Sequence, residues 1–544
     1  PDGHGHINTN IAGGYDVRAG WPFRDGDGYQ LGLGINPYGR FAGTRVFTDI
    51  FDLSGCGDSD QGLIKHTQDN GAQISSNSWG CGGCANTYDT SSQAYDAGVR
   101  DADPSEPGNQ PLIFIFAAGN DGPNDGTIGT PGNGKNVITV GASENDRPTW
   151  VDGCGVDPGG ADNIMDVIRF SSRGPAPGGR VKPELIAPGT HIQGTASTNA
   201  GYNGTGVCDQ YQPSGQATFA ASSGTSHSTP AVAGAASLYY YWLENRYNMT
   251  APSPALMKAY FIAHPTYLTG VAANDTLPSN AQGYGMPDMS LAFDDAARYL
   301  LDETAVLDHT GQTWQFTSAV ADPQKPLRIV MAYTDQAGLV GTSPQVNDLN
   351  LAVELGGEVY QGNNFSGAWS TPGGTADAAN NYEAIYLPLG TTGNFTITVT
   401  AYNVAGDGLP GNADNTDQDF ALVCYNCATE PGFNLQVTPA TQAVCAPDEA
   451  VADVAVRSLL GFSDPVTLSA TGVFTTAFDT NPVSPDSNSQ LVIGNTGGAA
   501  AGEYEVVVSA ISPTSTHTAP LHIVLYDRLP DVVALTTPVD TAVS

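Results

Sequence analysis

The 544 residues predict an α/β fold, a parallel sheet with helices on both faces, followed by all-β domains. Three observations carry this reading. An unbroken apolar run from Leu112 to Ala118 lies between polar loops, as in a strand covered on both faces. Beyond residue 305 the pattern becomes strict alternation: Leu349, Leu351, Val353 and Leu355, then Phe395, Ile397 and Val399, as in half-buried antiparallel strands. From 433 to 527, short strand-like segments recur at regular spacing, as in an immunoglobulin-like sandwich.

The elements follow in chain order. "DGHGHINTNIAGGY" (2–15) is helix-like, with Ile7 and Ile11 on one face. "SSNSWGCGG" (75–83) is a polar, glycine-ended edge segment. "SQAYDAGVRDA" (92–102) is helical, and "PLIFIFAAGN" (111–120) and "NVITVGAS" (136–143) are buried strands. "SHSTPAVAGAASLYYYW" reads as a helix beginning near Ser226, because Pro230 is tolerated in a first turn whose N–H groups lack intrahelical partners. The small residues from Ala231 to Ala236 suit close packing of a central helix. "SPALMKAYFIAH" (253–264) is another helix. Strands alternating with helices imply a parallel sheet. The expected domains are an α/β domain at 1–303, a β-barrel or jelly-roll-like domain at 304–430, a β-sandwich at 431–527, and a linker or the start of a further domain at 528–544.

A net charge of −36 argues against nucleic acid or an anionic membrane as partner. No run of 18 apolar residues predicts a membrane span. The chain begins at Pro1-Asp2 without an initiating Met or signal peptide, which reads as a mature product or a fragment. Eight cysteines in a loop-rich acidic chain favour disulfides and an extracellular location, with the connectivity open. Zinc at the C-x-x-C pairs of 81–84 and 424–427 is the alternative. "RDGDG" (24–28) and "GDGLPGNADNTDQD" (406–419) gather oxygen ligands suited to structural calcium. No cofactor is expected for catalysis.

Ser226 at a helix start has its hydroxyl beside N–H donors that suit a developing oxyanion. A nucleophilic serine also needs a base, and His4, flanked by glycines, supplies the candidate. Asn120 ends the apolar strand, where α/β sheets form their sites, and its amide suits an oxyanion donor. The segment Ser78-Trp79-Gly80 suits strand addition by an extended peptide. Taken singly, each residue reads equally as an N-cap serine, a turn histidine, an Asn turn or an edge loop.

Together, "GHG" (3–5), "NSWG" (77–80), "AAGN" (117–120), "GTPGNGKNVITVGA" (129–142), "FSSRGP" (170–175), "KPELIAPG" (182–189) and "SGTSHSTPAVAG" (223–234) resemble, in this order, the subtilisin-like serine proteases, or subtilases. The resemblance implies a subtilisin-like sheet and a secreted serine endopeptidase acting on protein or peptide substrates. It implies His4 as general base, Ser226 as nucleophile, Asn120 as oxyanion donor, Ser78 to Gly80 along the substrate strand, and Gly129 at the floor of the first specificity pocket. Residues 305–430 resemble the β-barrel domain of secreted bacterial subtilases through "MAYTD", "VNDLNLAV", "QGNN", "ANNYEAIYL" and "QDFALV".

There are departures. His6 stands where the family has Thr and is a rival base, and His227 and Ser228 replace the residues that usually follow the nucleophile. The family's orienting Asp lies on a strand upstream of the histidine. Asp2 is too close along the chain to take that role, so the expectation places this carboxylate upstream of Pro1. A G-x-S-x-G hydrolase is disfavoured because Ser228 stands at the second glycine position. Sedolisins use a Glu base and an Asp oxyanion residue, against His4 and Asn120. The alternative from another class is a catalytically inactive binding protein on a subtilase scaffold.

Overall fold

The computed structural model describes residues 2–26, 28–47, 50–81, 84 and 86–527. The stretch 528–544, expected to be a linker or a further domain, lies outside them. The chain divides into two compact units, one comprising 1–317, 326–389 and 395–426, the other 318–325, 390–394 and 427 onward.

The first unit is built on a parallel sheet of β1 (Ile74–Asn77), β2 (Ile113–Ala117), β3 (Ile138–Ser143) and β4 (Leu185–Pro188), in that spatial order, with β1 at an edge. The apolar run in β2 is explained by its two faces. Ile113 and Ile115 pack with α4 (Thr225–Tyr247), while Phe114 and Phe116 pack with Ile64 of α2 (Asp60–Asp69) and Tyr95 of α3 (Thr90–Arg100). A strand with helices on both sides has no solvent face for a polar residue.

Helix α4 touches all four strands of the sheet. It begins at Thr225, so Pro230 is its sixth residue, inside the helix rather than in the first turn where the sequence reading puts it; the Ser226 carbonyl, which Pro230 has no N–H to meet, accepts from the Ser78 hydroxyl instead (2.7 Å). Helix α1 (His4–Gly13) lies against α4. It is anchored by buried Asn10, whose amide donates to the Gly32 carbonyl (2.9 Å) and accepts from the Thr195 N–H (3.0 Å). Helix α5 (Pro254–Ala263) starts on a capping Ser253 with proline in its first turn, and every residue in it is buried.

The same unit contains two antiparallel sheets. One is ordered Thr313–Ala319, Asn394–Asn403, Asp348–Leu355, Glu358–Ser366 and Trp369–Pro372; the other Tyr382–Leu387, Leu327–Ala332, Gln418–Tyr425 and Arg298–Leu307. The predicted alternation holds, with Leu349, Leu351, Val353, Phe395, Ile397 and Val399 all buried. Tyr382, Ala384, Tyr386, Ala421 and Val423 join α4, α5 and the parallel sheet in one apolar core. Buried charges reinforce the join: Arg100 forks onto Asp419 (2.5 and 2.8 Å), and Lys135 pairs with Asp335. This continuous core makes residues on both sides of the predicted 303/304 boundary part of a single compact unit.

The second unit contains two four-stranded sheets, Gly432–Thr438, Ala450–Leu459, Ser487–Gly494 and Thr475–Phe478 facing Thr441–Cys445, Thr516–Tyr526, Gly502–Ile511 and Thr467–Thr471. Their inner faces form one core that includes Phe433, Val454, Leu491, Val506, Val508 and Leu521.

Candidate active site

The first turn of α4 places the site. Gly224 caps this helix at φ +152°, a backbone region that a Cβ disfavours, and its N–H donates to the Gly189 carbonyl (2.7 Å). Thr225 follows, fully buried, and Ser226 is half-buried at the cleft. The Ser226 hydroxyl faces the Ser78 carbonyl at 3.5 Å, and the Ser78 hydroxyl donates to the Ser226 carbonyl at 2.7 Å. The segment after β1 is thereby tied to the start of α4.

Asn120 sits just beyond β2, exposed. Its Oδ1 accepts from the Thr225 N–H (2.9 Å) and the Thr225 hydroxyl (3.0 Å), which turns Nδ2 toward the cleft. A methyl group at Gly224 would lie 3.4 Å from Asn120 Nδ2 and 3.8 Å from the Ser226 nitrogen. Among the described residues neither donor has a hydrogen-bond acceptor. Asn120 Nδ2 and the Ser226 nitrogen thus flank the space beside Gly224, and two donors so placed can stabilise an oxyanion.

His4 opens α1. Its backbone N–H donates to Asp2 Oδ1 (2.7 Å), so Asp2 caps the helix start. Burial holds the His4 ring below the ordinary 6.5, partly offset by the Asp2 charge. The amide of Asn8 lies 3.4 Å from His4 Nδ1 and 3.5 Å from Nε2, and the His227 ring stands 5.7 Å away, centroid to centroid. His6 is exposed, two positions further along α1.

Ser78 to Gly80 run beside residues 129–130. The Cys81 N–H donates to the Thr130 carbonyl (2.9 Å); a Cβ on Gly80 would stand 2.9 Å from that oxygen, and one on Gly129 would stand 2.7 Å from the Cys81 carbonyl. Side chains are excluded where these segments cross. The Trp79 indole, half-buried, packs against Tyr95 and Phe116 of the core and against Phe51, with its N–H on Asn77 Oδ1 (3.2 Å).

Two residues at the site escaped the sequence reading. Thr225 orients Asn120; the signal available was a hydroxyl residue directly before the candidate nucleophile. Asn8, which no sequence signal marked, pairs with His227, which departs from the family pattern after the nucleophile.

Cys81 is bonded to Cys84 and Cys154 to Cys208; Cys424 and Cys427 are also disulfide-bonded, whereas Cys56 and Cys445 are free thiols. The C-x-x-C cysteines are therefore oxidised, which removes the thiolates zinc requires. In the 406–419 loop, Asp417 accepts from the Leu409 N–H and the Asn412 amide, and Asp414 accepts from the Asn415 and Thr416 N–H groups. Asp25 accepts from the Tyr29 N–H, and Asp27 lies outside the described residues. Among the described residues, three acidic, His or Cys ligand atoms gather only at Asp152, Cys154 and Cys208, where both sulfurs are in the disulfide.

The model of the subtilase family, peptidase S8, matches residues 1–285, more than half of the chain. Serine protease AprX of Bacillus subtilis (strain 168) is 36% identical over 129 residues, covering 23% of this chain and 25% of that protein. The membrane-bound transcription factor site-1 protease of Homo sapiens is 31% identical over 188 residues, covering 34% of this chain and 14% of that protein. The matched part is thus about a quarter or less of either relative. Among solved structures, Sphericase matches with a TM-score of 0.34 at 23% identity, over 53% of this chain and 78% of its own. Fervidolysin from Fervidobacterium pennivorans matches with a TM-score of 0.34 at 14% identity, over 88% and 59%. With its matched region spanning the parallel sheet and all of the site's elements, the chain belongs to the subtilase family of serine proteases.

Proposed function

We propose that this chain is an extracellular serine endopeptidase in which Ser226 is the nucleophile, His4 the general base and Asn120 an oxyanion donor. The observation that supports it is the placement of Asn120 Nδ2 and the Ser226 nitrogen on either side of the space beside Gly224, with Asn120 Oδ1 held by Thr225. A binding protein has no need of that arrangement.

A substrate peptide lies extended along Ser78 to Gly80, with the side chain preceding the scissile bond toward Gly129. Ser226 Oγ attacks the scissile carbonyl carbon and its proton passes to His4. The carbonyl oxygen becomes an oxyanion held by Asn120 Nδ2 and the Ser226 N–H. Collapse breaks the C–N bond, and His4 returns its proton to the leaving amine. Water, deprotonated by His4, then cleaves the acyl-enzyme by the same route. His4 must be neutral to begin, and its burial favours that form. Among the described residues no carboxylate bonds to the His4 ring, and Asp2 Oδ1 accepts from the His4 backbone N–H. Disulfides suit an oxidising environment. No described helix is long and apolar enough to cross a membrane.

A fluorophosphonate should label Ser226, located by peptide mass spectrometry, and Ser226→Ala should abolish both the adduct and peptide hydrolysis. Retention of peptide binding with no adduct on wild-type protein would favour the inactive binding protein.

A further inference from the structure

The residue that follows Ser226 is a histidine, buried to 2% exposure in the first turn of α4. A buried imidazole needs a partner for its N–H. Its Nδ1 lies 2.8 Å from Asn8 Oδ1. An amide oxygen only accepts, so Nδ1 carries the hydrogen. That bond fixes the Asn8 amide with its oxygen toward His227 and its NH2 toward His4, one helical turn back on the same face of α1.

The NH2 group is almost equidistant from the two His4 nitrogens, at 3.4 and 3.5 Å. These separations exceed those of good hydrogen bonds. The amide therefore packs against the ring without claiming either nitrogen. The His227 ring, inclined at 58° and 5.7 Å away, adds a second wall. Both His4 nitrogens stay available for proton traffic while rotation of the ring is restricted. Burial depresses His227 to about 3, so this wall carries no charge that would oppose an imidazolium on His4.

We infer that Asn8 and His227, the residue directly after Ser226, act together as positioning residues that hold the His4 ring in its working orientation. The role rests on the protease reading. It assigns a function to a polar pair that joins α1 to α4 across 219 residues.

The test uses the full chain with Asn8→Val, His227→Met, the double variant and His227→Gln. Rates of phosphonate acylation at Ser226 and kcat on a peptide amide should fall about tenfold in either single variant, with KM within twofold, because geometry rather than binding is lost. The double variant should be no worse than the poorer single variant, since the pair acts as one unit. His227→Gln, whose amide can donate to Asn8 Oδ1, should recover most of the rate. Multiplicative losses, an effect confined to KM, or full activity in His227→Met would each overturn the proposal. An independent readout is the nitrogen NMR spectrum of labelled histidines in Ser226→Ala. His227 should be neutral with its proton on Nδ1 from pH 5 to 9, and Asn8→Val should change that signal. A proton on Nε2, or titration near the ordinary histidine value, would overturn the pairing whatever the activity. A wild-type chain that accepts no label would overturn the protease reading and the positioning role with it, while the NMR result would still report on the pairing itself.

Discussion

Thr225→Val isolates the device that aims Asn120. The substitution keeps the shape of a fully buried side chain and removes only its hydroxyl. In the native site that hydroxyl donates to Asn120 Oδ1 at 3.0 Å and accepts from the Gly119 N–H at 3.3 Å, while the Thr225 N–H supplies a second bond to Asn120 Oδ1 at 2.9 Å. Valine leaves the backbone bond in place, so Asn120 loses one of two restraints. A net hydrogen bond is worth about 0.5–1.5 kcal/mol. At 1.36 kcal/mol per decade that corresponds to a fall in kcat of about two- to thirteenfold. The Asn120 amide meets an oxyanion only in the transition state, so KM should stay within twofold. Removing the amide by Asn120→Ala should cost about 10²–10³ in kcat, a magnitude taken from the corresponding donor in a subtilisin, a relative of this chain. Steady-state hydrolysis of a chromogenic peptide amide, with thermal melting as the folding control, measures both. Thr225→Ser should match wild type. In an Asn120→Ala background Thr225→Val should change kcat by less than about twofold, because its target is gone. A rise in KM at unchanged kcat, or an undiminished loss in the Asn120→Ala background, would refute the orienting role.

Three further outcomes follow from the same geometry. Because His4 must be neutral to accept the serine proton and burial holds it below 6.5, the acid limb of kcat/KM should lie below that value; Asp2→Asn removes the charge that raises it and should move the limb to lower pH, an effect that fades at high salt. An upward move would contradict it. Breaking the Cys154–Cys208 disulfide by double serine substitution opens a link across 54 residues, worth about 4 kcal/mol on the loop-entropy scale, and should lower the denaturant midpoint. It should also lower kcat, because the Ser223 N–H rests on Cys208 Sγ (3.2 Å) three positions before Ser226. Arg100→Ala should destabilise the first unit by about 3–5 kcal/mol in a chemical denaturation, because it strands Asp419, 1% exposed, without its guanidinium partner.

What was legible in the sequence was what short-range physics determines. The small residues around Pro230 marked the start of α4 to within one residue of its observed first residue, Thr225, although Pro230 itself lies one turn further in than expected. The apolar run of β2 announced helices on both faces, and strict alternation marked the strands at Asp348–Leu355 and Asn394–Asn403. The order of the motifs then brought Ser226 and Asn120 to one locus. Roles set by side-chain direction across long separations were not legible. Trp79 lies in the expected substrate segment, yet its indole packs against the core because Tyr95 and Phe116 offer an aromatic pocket behind it. The boundary at 303/304 followed a change of strand pattern, but α5 is buried on every side, and a helix buried all round needs a second layer on its outer face. The strands Leu327–Ala332, Tyr382–Leu387 and Gln418–Tyr425 provide that layer, and so the alternating segments fold as part of the unit that carries the parallel sheet. Asn8 and His227 are the sharpest case. His227 stands out in the sequence only as a departure after the nucleophile, and Asn8 not at all. Only the packing of α1 on α4 brings the two together in one satisfied hydrogen bond beside His4.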